Sequence, residues 1–232
     1  MLTEAIILCG GLGTRLKAVS PTLPKVLVVV AGKPFLHYVI QYLQEQGIEH
    51  FIFATGYGHA EVEAYVKANH PLLHATFSIE INPLGTGGAM MQALNKTSEQ
   101  QVLVVNGDTI FKADVKALNE FHQQQKAICS IAATAIAETN RYGMLALDDT
   151  GMLKGFAEKN KHTSGGIINA GMYIINRNIF NGPSFAPTFS FEKDYLECYV
   201  QSQPIAAQVQ DAYFIDIGIP ADLARAQKDF KE

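Results

Sequence analysis

The chain has no run of basic residues and no arginine-rich face: 18 Lys and Arg stand against 22 Asp and Glu. That balance argues against a nucleic-acid partner, so any phosphate chemistry must rest on a few placed cations. Cysteine is scarce. Cys9, Cys129 and Cys198 are odd in number and lack CxxC spacing, which argues against a disulfide framework or a zinc knuckle. The seven histidines are scattered, with no HExxH. No apolar run approaches the ~20 residues of a membrane span. The start, MLTEAIILCGG, has no basic n-region, and its apolar run is too short for a signal peptide. A soluble cytoplasmic protein is the expectation. The two commonest nucleotide fingerprints are missing too. After Gly11-Leu12-Gly13, Leu16 takes the place of the last glycine of GxGxxG, and no GK[ST] completes a Walker A loop.

What is present is enough apolar residue for one well-buried α/β core, 48% of 232 positions, so residues 1–232 are expected to form one domain. Glu4 to Cys9 is a short apolar run ending in glycines and reads as a buried parallel strand. Pro34 to Gln46 carries Phe35, Leu36, Val39, Ile40 and Leu43 at helical spacing, and Gly47 stops it. Strand-like runs at His50 to Thr55, Ala75 to Ile81 and Gln101 to Val105 alternate with helical ones at Ala60 to Ala68 and at Thr86 to Leu94, where Thr86 is expected as the cap. Asp114 is expected to cap a helix to Gln125. This rhythm implies a Rossmann-like α/β fold: a mostly parallel sheet with helices on both faces. Ligands of such sheets bind at the carboxyl ends of strands, where Gly10 and Asp108 fall.

The second half differs in texture. Met144 to Phe156 reads as a hairpin around Asp148 to Gly151, Gly166 to Asn176 as a long strand, and Ser190 to Val200 as a helix. Tyr213 to Ile217 reads as a strand, and Pro220 opens a terminal helix. These later hairpins are expected to form an inserted sugar-binding region on the same sheet.

The glycine-rich turn after the first strand, Gly10, Gly11, Leu12, Gly13, Thr14, Arg15 and Leu16, lets backbone N–H groups approach a phosphate chain, and Arg15 adds a charged fork. Pro24-Lys25 and Lys33-Pro34 follow. This segment, LCGGLGTRLKAVSPTLPKVLVVVAGKP, resembles the signature of the sugar-1-phosphate nucleotidyltransferases, with Val26 where a proline is often found. The resemblance continues in order along the chain, through Pro83-Leu84-Gly85-Thr86-Gly87-Gly88-Ala89, Asn106-Gly107-Asp108-Thr109, Glu158-Lys159, Asn169-Ala170-Gly171 and Phe214-Ile215-Asp216-Ile217-Gly218. Within the family, LCGGLGTRLK, PLGTGGA, RYG at Arg141 to Gly143, FSFEKD and YFIDIGIP are most similar to the D-glycero-α-D-manno-heptose 1-phosphate guanylyltransferases. Mannose-1-phosphate guanylyltransferases and N-acetylmuramate-1-phosphate uridylyltransferases share most of these pieces.

The resemblance implies the nucleotidyltransferase fold, with residues 1–110 mainly binding nucleotide and 111–232 mainly binding sugar phosphate. It implies transfer of a nucleoside monophosphate, from GTP by the nearer likeness, to a sugar 1-phosphate. An NDP-heptose product would suit a bacterial surface polysaccharide. Arg15, Lys25 and Asp108 are the implied catalytic residues. Leu8, Gly10, Gly11, Gly13, Thr14, Pro83, Gly85, Thr86 and Asp108 are implied for the nucleotide. Tyr142, Gly143, Glu158, Lys159, Asn169 and Asp216 are implied for the sugar phosphate. Asp108 and Asp216 each follow a strand-like run, and at one sheet edge their carboxylates would share Mg²⁺ or Mn²⁺. The expected partners are the two small molecules, with no nucleic acid and no membrane; a homo-oligomer is left open.

Other readings compete. A catalytically silent ligand-sensing subunit on the same fold would be expected to lose Arg15, Lys25 or an aspartate, and all are present. A dinucleotide oxidoreductase is disfavoured by Leu16. Cys9 reads as a small buried apolar residue. His70 and His74 lack a third zinc ligand, and Phe51, Phe53 and Tyr57 read as packing groups.

Overall fold

The computed structural model of the protein describes residues 2–11, 23–137, 142–157, 165–182 and 184–231. Glu4–Leu8 forms β1, and a 3₁₀ turn at Lys25–Leu27 leads to a short antiparallel pair, β2 (Val29–Val30) and β3 (Lys33–Pro34). Then come α1 (Phe35–Glu45), β4 (His50–Thr55), α2 (His59–Asn69), β5 (His74–Ile79), α3 (Gly85–Leu94) and β6 (Gln101–Asn106). The second half contributes β7 (Thr109–Phe111), α4 (Val115–Gln124), β8 (Cys129–Ile136), β9 (Met144–Leu147), β10 (Leu153–Ala157) and β11 (Gly166–Asn176). A π-helical turn at Phe191–Leu196 runs into α5 (Glu197–Tyr199), followed by β12 (Ile205–Val209), β13 (Phe214–Asp216) and α6 (Pro220–Asp229).

Among the described residues, nine strands form one mixed sheet. β6, β1, β4 and β5 lie parallel in that order, the strand–helix alternation of the first half. β11 joins antiparallel to β6, and β8 runs antiparallel along its other side. Over its first half β11 instead meets β9, which forms the expected hairpin with β10. A bulge between Asn169 and Met172, with Gly171 at φ +73°, marks the change of neighbour.

The sheet residues alternate between two cores. Ile7, Phe51, Phe53, Leu103 and Val105 pack on one face with α1, α2, α4 and α6. Ile6, Ile52, Ala54, Val102 and Val104 pack on the other with α3 and the π-helical turn. Period two in the strands thus builds both faces at once. In α1, the apolar positions expected from sequence are all buried, and Gly47 at φ +83° ends the segment. Asp114 caps α4 as expected, its carboxylate accepting from Ala117 N at 2.9 Å, and Pro220 begins α6.

Several details differ from expectation. β8 and β12 have no counterpart among the expected elements; their sequences, CSIAATAI and IAAQV, are rich in alanine and give a weak strand signal. The helix expected at Ser190 to Val200 begins as a π-helical turn, with Ser190 Oγ accepting from Lys193 N at 3.2 Å. Thr86 lies inside the first turn of α3, and Leu84 occupies the capping position. Among the described residues no helix is long and apolar enough to cross a membrane.

Candidate active site

The carboxyl ends of β1 and β6 lie side by side, with Leu8 opposite Asn106. Gly107 N donates to Leu8 O at 3.0 Å. A Cβ at position 107 would stand 2.8 Å from that oxygen and 2.9 Å from Val26 Cγ1, so the turn that presents Asp108 requires glycine. β7 leaves this turn and pairs antiparallel with β13, which sets Asp216 opposite Thr109. Ile217 N donates to Asp108 O at 3.0 Å and closes the arrangement. Asp108 and Asp216 therefore converge through a two-stranded ribbon beside the large sheet, and β13 is not a neighbour of β6 within that sheet.

Lys25, at the start of the 3₁₀ turn, reaches both aspartates. Its ammonium pairs with Asp108 Oδ2 and lies 3.4 Å from Asp216 Oδ1. The two bonded oxygens are thus no more than about 7 Å apart, twice the outer limit of a hydrogen bond. Asp216 Oδ1 also accepts from Gly218 N at 2.7 Å. Burial, and then the charge of Asp108, push the Asp216 carboxyl above its ordinary range; Lys25 and the Gly218 N–H oppose the shift. Among the described residues no cluster of three or more His, Cys, Asp or Glu side chains gathers as a metal cage. Any cation held here would take its remaining ligands from substrate or water.

A cavity of about 490 Å³ opens beside this group. One wall is the end of β1, Leu8 to Gly11; the other is Pro83, Gly85, Thr86 and Ala89. Lys25 and Asp108 lie in its lining. Gly85 sits at φ +71°, and a Cβ there would be 2.4 Å from Phe189 O, so the loop folds against Phe189 only with glycine at this position. Phe189 N donates to Leu84 O at 2.9 Å, and Gly87 N donates back to Phe189 O at 3.0 Å. Glu80 also lines the cavity. Its Oε2 accepts from Leu84 N at 2.9 Å, and its Oε1 lies where a Gly10 Cβ would come within 2.6 Å. Burial pushes the Glu80 carboxyl up, with only the Leu84 N–H working against it.

A second cavity, of about 200 Å³, shares Asn106 with the first and is floored by Asn169, Gly171, Tyr173, Glu192 and Asp216. A cleft of about 360 Å³ at the amino end of β6, among Gln100, Gln101, Asn119 and Gln123, is remote from these groups and has no cation in its lining.

Residues 4–232 match the family model described as nucleotidyl transferase. The chain belongs to the nucleotidyl transferase family. It is 43% identical over 228 residues to the D-glycero-alpha-D-manno-heptose 1-phosphate guanylyltransferase of Aneurinibacillus thermoaerophilus, covering 98% of each chain. It is 38% identical over 219 residues to the protein of that name from Campylobacter jejuni, covering 94% of this chain and 96% of the relative. The crystal structure of HddC from Yersinia pseudotuberculosis is similar with a TM-score of 0.89 at 36% identity, over 99% of this chain and 100% of that one. HddC has also been solved complexed with GMP-PN.

This nucleotidyl transferase brings the site residues expected from sequence into two groups. Leu8, Gly10, Gly11, Lys25, Pro83, Gly85, Thr86 and Asp108 surround the larger cavity. Tyr142, Gly143, Asn169 and Asp216 surround the smaller. Gly13, Thr14, Arg15, Glu158 and Lys159 lie outside the described residues. Cys9 is buried, and burial together with the Asp108 charge pushes its thiol far up, as suits an inert packing group. Asn169 is more committed than expected: its Nδ2 donates to Tyr173 Oη at 2.7 Å and its Oδ1 accepts from Gly171 N at 2.9 Å. Two carboxylates were not singled out from sequence. Glu80 directly follows β5, and a charge at a strand's carboxyl end was its signal. Glu192 lies in FSFEKD, a segment that carried resemblance without a role.

Proposed function

We propose that this nucleotidyl transferase transfers GMP from GTP to D-glycero-α-D-manno-heptose 1-phosphate, giving the GDP-sugar and pyrophosphate. A sugar phosphate oxygen forms a bond to the α-phosphorus while the bond from that phosphorus to the bridging oxygen breaks, and pyrophosphate leaves with the electron pair. The attacking oxygen is already ionised, so no protein nucleophile or general base is required. The protein supplies position, and positive charge where three anionic groups meet. The observation that carries this reading is the Lys25 ammonium, held by Asp108 and Asp216 between a nucleotide-sized cavity and a smaller one.

In this reading the glycine turn with Gly13, Thr14 and Arg15 takes the β- and γ-phosphates, and Lys25 meets charge developing at the α-phosphate. Lys159 with Glu158 takes the sugar phosphate, and Tyr142 and Gly143 line the sugar. Guanine offers two donors on one edge, N1–H and the 2-amino group, which a single carboxylate accepts together. Uracil and thymine offer one donor between two carbonyl oxygens, which a carboxylate repels. Glu80 lines the larger cavity with Oε1 bonded to none of the described residues, and so supports GTP as donor.

Asp108 and Asp216 suit a magnesium or manganese ion. They are two hard oxygen donors converging where a cation, the Lys25 ammonium, already sits. An ion bound there would neutralise charge on the α-phosphate. We read residues 1–232 as one domain acting in the cytoplasm on small-molecule substrates.

The test is pyrophosphate release from GTP, UTP, CTP and dTTP crossed with heptose, mannose and N-acetylmuramate 1-phosphates. The expected result is the highest kcat/KM for GTP with the heptose phosphate. A clear preference for UTP with the amino sugar would overturn the guanylyl assignment. Absence of turnover with every pair would favour a ligand-sensing protein.

A further inference from the structure

Glu192 faces the smaller cavity, and its partners come from both sides of the site. Oε2 accepts from Thr86 Oγ1 at 3.0 Å, in the loop that walls the nucleotide cavity, and from Ser190 Oγ at 3.2 Å. Oε1 accepts from Tyr173 Oη at 3.2 Å. Thr86 is itself fixed, because its hydroxyl accepts from Phe191 N at 2.9 Å. Tyr173 is fixed as well: its ring is buried, and its hydroxyl accepts from Asn169 Nδ2 at 2.7 Å. A carboxylate has about four acceptor positions. Among the described residues, three of them are filled by protein hydroxyls, two on Oε2 and one on Oε1. The position left over is on Oε1, the oxygen beside Tyr173, and both residues line the cavity of about 200 Å³.

Resting on the sugar 1-phosphate reading, we infer that Glu192 is a specificity residue for the acceptor, taking a hydrogen bond from one sugar hydroxyl through the open position on Oε1. Asn169, which donates to Tyr173 Oη, is then a positioning residue that fixes Tyr173, and through it the carboxylate. A carboxylate only accepts, so it selects a hydroxyl that donates. A sugar phosphate lacking that hydroxyl leaves the acceptor position unfilled. Fixing the carboxylate with three hydroxyls gives the site a set geometry before substrate arrives.

The experiment is a substrate and variant cycle. Wild type and Glu192→Gln are compared with the heptose 1-phosphate and with a set of its monodeoxy analogues, and KM is measured for each sugar at saturating GTP and for GTP at saturating sugar. Loss of a hydrogen bond to a charged acceptor corresponds to about tenfold or more in affinity. The expected result is a rise of that size in KM for the full sugar, no rise for the one analogue that lacks the selected hydroxyl, and a GTP KM within about twofold of wild type. An equal penalty across every analogue, or an equal rise in the GTP KM, overturns the inference and makes Glu192 a structural tie. A structure of the wild-type protein with sugar phosphate serves where the variant does not fold. A sugar hydroxyl about 2.7 Å from Oε1 is the expected contact, and none within hydrogen-bond reach is the refutation. If instead the wild type turns over no sugar 1-phosphate, the functional reading fails, which is a different outcome from normal kinetics in Glu192→Gln.

Discussion

Lys25→Ala removes the cation that separates Asp108 and Asp216. The lysine side chain is only 11% exposed, against 32% and 24% for the two aspartates, so the lost charge is not readily replaced by water. Two carboxylate charges within about 7 Å of each other repel by at least roughly 2 kcal/mol at an effective dielectric of 20. With the aspartates a quarter to a third exposed, about 1–2 kcal/mol is the realistic loss of stability. A chain of this length should then melt about 2–8 °C lower and remain folded at 25 °C. Activity should fall much further, because the charge acts where the transition state gathers negative charge. A loss of at least ~10²-fold in kcat/KM is expected, as for removal of one oxyanion donor. Pyrophosphate release at saturating magnesium measures the activity, and thermal melting with and without magnesium measures the rest. Magnesium should raise the melting temperature of the variant more than that of wild type, because the ion restores charge the lysine supplied. A folded Lys25→Ala protein with kcat/KM within threefold of wild type would falsify the role given to this lysine.

Asp108→Asn and Asp216→Asn should each nearly abolish turnover, with the double variant little worse than either, since one site is lost in every case. Asp216→Asn should nevertheless raise the melting temperature of the ligand-free protein near neutral pH. A carboxyl whose pKa is raised on folding contributes stability that is present in acid and lost as pH rises through its folded value. The gain should therefore vanish as pH falls below the ordinary aspartate range, and a gain independent of pH would point to another cause. Glu80→Gln should lower kcat/KM for GTP by about tenfold or more while sparing UTP, narrowing the preference; equal losses with both would make Glu80 a support for the loop at Leu84. Gly85→Ala should cost about 1–3 kcal/mol from its left-handed backbone alone, with more from the contact with Phe189. An unchanged melting curve would show that the loop can move aside.

Elements with strong local signals were legible in the amino-acid order alone. α1 follows from five apolar residues at helical spacing and a glycine stop, α4 from the Asp114 cap, and β1, β4 and β6 from apolar runs that end in turn residues. These depend on contacts within a few residues, or on burial that any packed sheet would provide. The ordered motifs likewise named Leu8, Gly10, Lys25, Gly85, Asp108 and Asp216. How they meet depends on long-range pairing. Asp108 and Asp216 are brought together by pairing of β7 with β13, two three-residue strands with too little pattern to announce their register. Thr86 has the composition of a helix cap, but Phe191 N and Glu192 claim its hydroxyl from more than a hundred residues away, and no local rule anticipates that. β8 and β12 are strands because β11 and one another offer them hydrogen-bonding edges; their alanines carry little preference of their own. Glu80 falls within the expected strand Ala75 to Ile81 and Glu192 within the expected helix Ser190 to Val200, and neither placement points to a cavity. Only the fold sets them into cavities, one held by the Leu84 N–H and the other with three hydroxyls gathered around it.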